Sequence, residues 1–120
     1  MINMADLVCS LGTGKGTWLE VSNLAKIYDW KNIFIITNDF GKENFNCGKP
    51  VTFIIIDWNK DYYSIKEIII KELKDKVSGD VALNFSSGTG KEHMAILSSM
   101  LSIGVGLRFI VPENNQIKEI

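Results

Sequence analysis

The sequence predicts an α/β protein, a three-layer sandwich on a mainly parallel five-stranded sheet of strand order 3-2-1-4-5. Apolar runs rich in β-branched residues alternate with stretches whose apolar residues recur at three- and four-residue spacing, the pattern of strands alternating with amphipathic helices. One run, Ile33-Phe34-Ile35-Ile36, is apolar without alternation, as a strand covered on both faces is. The tetrapeptide Gly-Thr-Gly-Lys occurs twice, at residues 12–15 and 88–91, each time between an apolar run and a helical pattern.

The chain has 120 residues, 46% of them hydrophobic and 22% charged, the balance of one globular domain spanning residues 1–120. Net charge is -1 and the lysines are scattered among acids, which argues against a basic stripe for duplex nucleic acid. Cys9 and Cys47 form no Cys-x-x-Cys, and His93 is the only histidine. That argues against a disulfide framework and a structural zinc site, and no cofactor or metal is expected. A reducing cytoplasm fits, and neither a secretory leader nor a membrane span of about 20 apolar residues is read from the sequence.

Taken in order, Leu7 to Ser10 reads as strand one, leaving the core into Leu11-Gly12-Thr13-Gly14-Lys15-Gly16, where glycines permit a tight turn. Trp18, Val21, Leu24, Ala25 and Tyr28 carry helical spacing, with Thr17 as N-cap and Glu20 completing a capping box. Strand two, residues 33–36, ends in Thr37-Asn38-Asp39; residues 40–50 support only a degraded or very short helix. Strand three, residues 51–56, stops at Asp57, which caps the following segment. Ile65, Ile68, Ile69 and Leu73 form the apolar stripe of a half-solvated helix capped by Ser64. Ser78-Gly79-Asp80 turns into strand four, residues 81–85. Apolar residues from Met94 to Ile103 nearly surround the next helix, which should be largely buried and end at Gly104. Strand five, residues 107–111, is halted by Pro112, leaving residues 113–120 as a polar tail. The whole is Rossmann-like, and both Gly-Thr-Gly-Lys loops open at its switch point, between strands one and four.

A phosphate requires closely approachable backbone N–H groups, hydroxyl donors and a cation, which glycine-rich turns opening helices supply. Gly12, Thr13, Gly14 and Lys15 make one cradle; Ser86, Ser87, Gly88, Thr89, Gly90 and Lys91 make the other. Neither is a P-loop. The leading glycine of Gly-x-x-x-x-Gly-Lys would fall at Cys9 or Phe85, and Glu92 occupies the position of a magnesium-binding hydroxyl. The dinucleotide fingerprint also lacks its third-glycine spacing. His93 is read either as a proton shuttle or as a surface or capping group, with the second favoured. Phe40, beside Asn38 and Asp39, is a better base-stacking candidate than Trp18, which falls on the apolar stripe.

Residues 84–94, Asn-Phe-Ser-Ser-Gly-Thr-Gly-Lys-Glu-His-Met, resemble the strand-four motif of the CRISPR-associated Rossmann-fold (CARF) family, and Ser10-Leu11-Gly12 resembles that family's ligand-binding turn after strand one. The family usually has a sixth strand, a full helix between strands two and three, and often an effector domain. This chain carries an additional Gly90 before the lysine. The resemblance implies a homodimer that binds a cyclic oligoadenylate across its two-fold axis, either as a sensor signalling to an effector partner or as a metal-independent ring nuclease. In the nuclease, Lys91 would stabilise charge on the phosphate and Ser10 would orient phosphate or ribose, with Lys15 as an alternative cation. Leu11, Gly12, Thr13, Gly14, Lys15, Asn38, Asp39, Phe40, Ser86, Ser87, Gly88, Thr89, Gly90 and His93 would line the site. The competing reading is a scaffold subunit acting through protein partners.

Overall fold

The computed structural model describes residues 5–120. Six strands, β1 (Asp6–Ser10), β2 (Asn32–Thr37), β3 (Thr52–Ile55), β4 (Asp80–Asn84), β5 (Gly106–Glu113) and β6 (Gln116–Glu119), form one sheet in the order β3-β2-β1-β4-β5-β6. The first five are mutually parallel and β6 runs antiparallel to β5. The helices are a 3₁₀ turn at Lys15–Thr17, α1 (Trp18–Ile27), α2 (Asp39–Asn44), α3 (Tyr62–Leu73) and α4 (Gly90–Ile103). The architecture is a mixed, mostly parallel sheet flanked by helices, a three-layer α/β sandwich.

The period-two geometry of the central strands splits the core in two. Leu7 and Cys9 of β1, with Ile33 and Ile35 of β2, pack among Val21, Leu24 and Ala25 of α1. Val8, Phe34 and Ile36 point the other way and pack with Ile65, Ile69 and Leu73 of α3 and Ala95, Ile96 and Met100 of α4. Each Val, Leu, Ile or Met side chain among these that is fully buried contributes about 1.5–3 kcal/mol through loss of apolar surface from water. The chain order reverses across the β1–β4 pair, so the crevice at the C-terminal ends of these strands is the switch point.

Several sequence expectations are corrected. Residues 113–120 do not form a tail. Asn114 and Asn115 adopt φ of 53° and 59°, making a two-residue turn with both central residues left-handed, the type I′ geometry that matches strand twist. β6 therefore returns onto β5 and makes a sixth strand. Pro112 does not halt β5. It lies beyond the last β4–β5 pair, Leu83 with Phe109, and opposite Ile117. With the Glu113–Gln116 pair closing the turn by hydrogen bonds, the Pro112 position is non-hydrogen-bonded and needs no N–H.

Thr17 makes no side-chain cap, because the 3₁₀ turn already leads into α1. The capping box belongs to α4, between Thr89 and Glu92. Asp61, rather than Ser64, caps α3: its carboxylate accepts the Ser64 amide hydrogen at 2.7 Å. α4 is less buried than expected, with Met94 and Leu101 each 65% exposed, since α3 and the sheet cover only part of its circumference. Gly104 does end α4, in the left-handed conformation, and the connection after β2 is the short helix α2.

Candidate functional site

The two glycine-rich loops meet at the switch point, and Ser87 joins them. Its Oγ accepts the Gly12 amide hydrogen at 2.8 Å. Its carbonyl accepts the Ser10 hydroxyl hydrogen and lies 2.7 Å from His93 Nε2, which must carry the ring proton to donate there. The backbones come so close that a Cβ on Gly12 would stand 2.9 Å from Gly88 Cα, while Gly88 itself has φ of +101°. Glycine is required on both sides of this contact.

The side chains predicted to bind ligand fall into distinct groups. Ser10, Leu11 and Ser87 are buried and hold the loops in place. The Leu11 amide donates to the Ile36 carbonyl at 3.0 Å, and the Leu11 carbonyl accepts the Thr37 hydroxyl at 2.8 Å. Ser86 is half-buried, held in a turn by the Asn84 carboxamide, which also donates to the Ile110 carbonyl at 2.8 Å. Thr89 is exposed, but its hydroxyl serves the α4 capping box. His93 stacks on Phe85, with ring centroids 4.7 Å apart and planes 9° from parallel. Together with its bond to Ser87, this makes His93 a brace of the loop.

Thr13, Gly14 and Lys15 remain exposed on the first loop, and Gly88 and Gly90 on the second. Lys15 Nζ stands 5.7 Å from the Trp18 ring centroid and 5.4 Å from that of Phe40, within cation–π range. Trp18 Nε1 donates to the Gly12 carbonyl at 2.7 Å, tying α1 to the loop. Lys91 behaves differently from Lys15. Its ammonium donates to the carbonyls of Trp58 at 2.7 Å and Lys60 at 3.0 Å, on the connection between β3 and α3, and lies over the Tyr62 ring.

Beside the loops, the ends of β2 and β3 open a cleft of about 720 Å³. Asn38, Asp39 and Phe40 line it, as does Glu92 of α4, and so do residues for which the sequence reading assigned no binding role, Asp57, Trp58, Asn59 and Lys60. A signal for Trp58 was present: Asp57-Trp58 follows the third apolar run much as Asp39-Phe40 follows the second. A smaller cavity of about 400 Å³, lined by Trp30, Lys31 and Lys49 among others, lies at the opposite ends of β2 and β3, away from the switch point. Among the described residues no cluster of three His, Cys, Asp or Glu could hold a metal ion, and no helix is long and apolar enough to cross a membrane.

The arrangement leaves Thr13, Gly14 and Lys15 of the first loop exposed beside a cleft lined by Phe40 and Trp58. No protein-family model and no curated protein matches this sequence.

Proposed function

We propose that this chain is a Rossmann-like domain that binds a cyclic oligoadenylate or related nucleotide second messenger, as a homodimer whose two switch points face one ligand. The observation that carries the reading is the union of the two loops through Ser87, with Lys15 exposed beside them. Loops held this rigidly present their backbone to a phosphodiester without an ordering penalty at the moment of binding. A two-fold ligand matches a two-fold dimer, and signalling then passes to a separate effector protein.

Lys15 is the cation we assign to the phosphate, since Lys91 already bonds two carbonyls. Cleavage, where it occurs, is attack of a ribose 2′-hydroxyl on the adjacent phosphorus. The phosphorus–O5′ bond breaks as the 2′-oxygen–phosphorus bond forms, leaving a 2′,3′-cyclic phosphate, and the proton lost by the 2′-hydroxyl is balanced by the one that the departing 5′-oxygen takes up to become a hydroxyl. The protein's part is to hold the in-line geometry and to stabilise negative charge on the phosphate oxygens.

Calorimetry with cyclic tri-, tetra- and hexa-adenylate tests binding: saturation at one ring per two chains is expected, weakened about tenfold or more in Lys15→Ala. Absence of heat with every ring size would falsify the reading and leave a scaffold that works through protein partners. Chromatography of the ligand after incubation in chelator separates sensor from nuclease.

A further inference from the structure

We propose that the cleft at the ends of β2 and β3 is a nucleobase subsite, selective for a base that carries an exocyclic amine. Two Asp-aromatic pairs build it. β2 and β3 are parallel neighbours with Thr37 beside Ile55, so Asp39-Phe40 and Asp57-Trp58 leave the sheet at matching distances and line one cavity. Two aromatic side chains, Phe40 and Trp58, line a cleft of about 720 Å³, a setting that suits a planar heterocycle, since every base can stack on an aromatic ring irrespective of its edge pattern.

The edge pattern is read by what remains unpaired. Trp18 and Trp30 donate their indole N–H groups to the Gly12 and Leu24 carbonyls. Among the described residues the Trp58 indole has no such partner. Asp57 uses Oδ1 to accept the Asn59 amide hydrogen at 3.0 Å, leaving Oδ2 free, and the Asp39 carboxylate has no partner among the described residues. Three carboxylates, Asp39, Asp57 and Glu92, line the cleft with one ammonium, Lys60. Glu92 is bound within its capping box, so the available acceptors are Asp39 and Asp57. An acidic lining repels phosphate and accepts hydrogen bonds from an amine. Phosphate is accommodated next door, where Lys15 Nζ stands 5.4 Å from the Phe40 ring. Lys91 fixes the Trp58 wall through the Trp58 carbonyl and acts as a positioning residue.

The assignment of the base to a cyclic oligonucleotide rests on the function proposed above; the subsite itself does not. The test uses the whole chain with uncharged nucleosides. Adenosine and cytidine are expected to shift the Trp58 indole resonance, assigned by its loss in Trp58→Phe, with affinity about tenfold above inosine and uridine. Asp57→Asn should narrow that ratio while leaving the remaining spectrum folded. Equal responses to adenosine and inosine, or a Trp58 resonance that no nucleoside moves, overturn the subsite. Calorimetry separates the two ideas. Cyclic tetra-adenylate binding that is unchanged in Trp58→Leu overturns the assignment of the subsite to the cyclic ligand's base and keeps the phosphodiester site. A selective nucleoside response without cyclic ligand binding does the reverse.

Discussion

Lys91 Nζ lies 2.7 Å from the carbonyl oxygen of Trp58, so the first turn of α4 holds the β3–α3 connection across a sequence separation of 33 residues. A second bond to Lys60 and the Tyr62 ring face complete the grip. Lys91→Met keeps the aliphatic stem and removes the donors. It is expected to speed amide hydrogen exchange across residues 57–61 and to lower stability by about 1 kcal/mol, with the global fold intact. Unchanged exchange in that segment would show that the two carbonyl bonds do not hold the loop.

The Ser87 hub gives a second prediction. Ser87→Ala removes the acceptor for the Gly12 amide, whose loss costs about 1–3 kcal/mol where the freed group stays out of water. Gly12→Ala is expected to be at least as damaging, because its Cβ would sit 2.9 Å from Gly88 Cα and force the loops apart. Chemical denaturation of both single variants and the double variant measures this. The double should lose less than the sum, since both changes open one contact. Simple additivity contradicts a shared lock.

Much of this framework was legible in the sequence. The order of the five parallel strands followed from alternation and from the switch-point argument, and the observed sheet has that order with β6 added at its edge. The missing strand had a signal, the Asn114-Asn115 pair, whose tolerance of left-handed φ makes a hairpin turn; Pro112 obscured it, because a proline is harmless only at a non-hydrogen-bonded pair and pairing is not visible in one sequence. At the site, residue types located both loops but could not distinguish a serine that faces a ligand from one that braces a turn. Ser10 and Ser87 are buried partners, and Lys91 reaches carbonyls that are distant in sequence. Side-chain direction depends on tertiary neighbours, which local pattern does not encode.

Cys9 gives a third prediction. It is fully buried on the central strand, and burial foremost, with the neighbouring Cys47 adding to it, pushes its thiol far above the ordinary range. Cys47 is also buried. A thiol reagent at mildly alkaline pH should therefore leave Cys9 unmodified in the native protein and react only as the chain unfolds. The modification rate across a denaturant series, followed by mass spectrometry, should track global unfolding. Rapid native-state labelling of Cys9 would contradict the packing of β1.

Acid sensitivity isolates the α3 cap. Hydrogen bonds from Ser64 hold the Asp61 carboxyl below its ordinary value, with smaller help from the charges of Lys91 and Lys60. A carboxyl whose folded value is depressed adds stability that is fully present above its unfolded value, about 4, and is lost as pH falls through the lower folded value. Asp61→Asn keeps an oxygen that can cap the Ser64 amide but cannot titrate. Wild type should therefore lose more stability than the variant between about pH 5 and pH 3, with the two profiles parallel at neutral pH. The ion pair of Glu119 with Arg108 also weakens in acid, but it is common to both proteins and cancels in the difference. Coincident profiles down to the acid limit would mean that the carboxylate charge adds nothing to the cap beyond its oxygen.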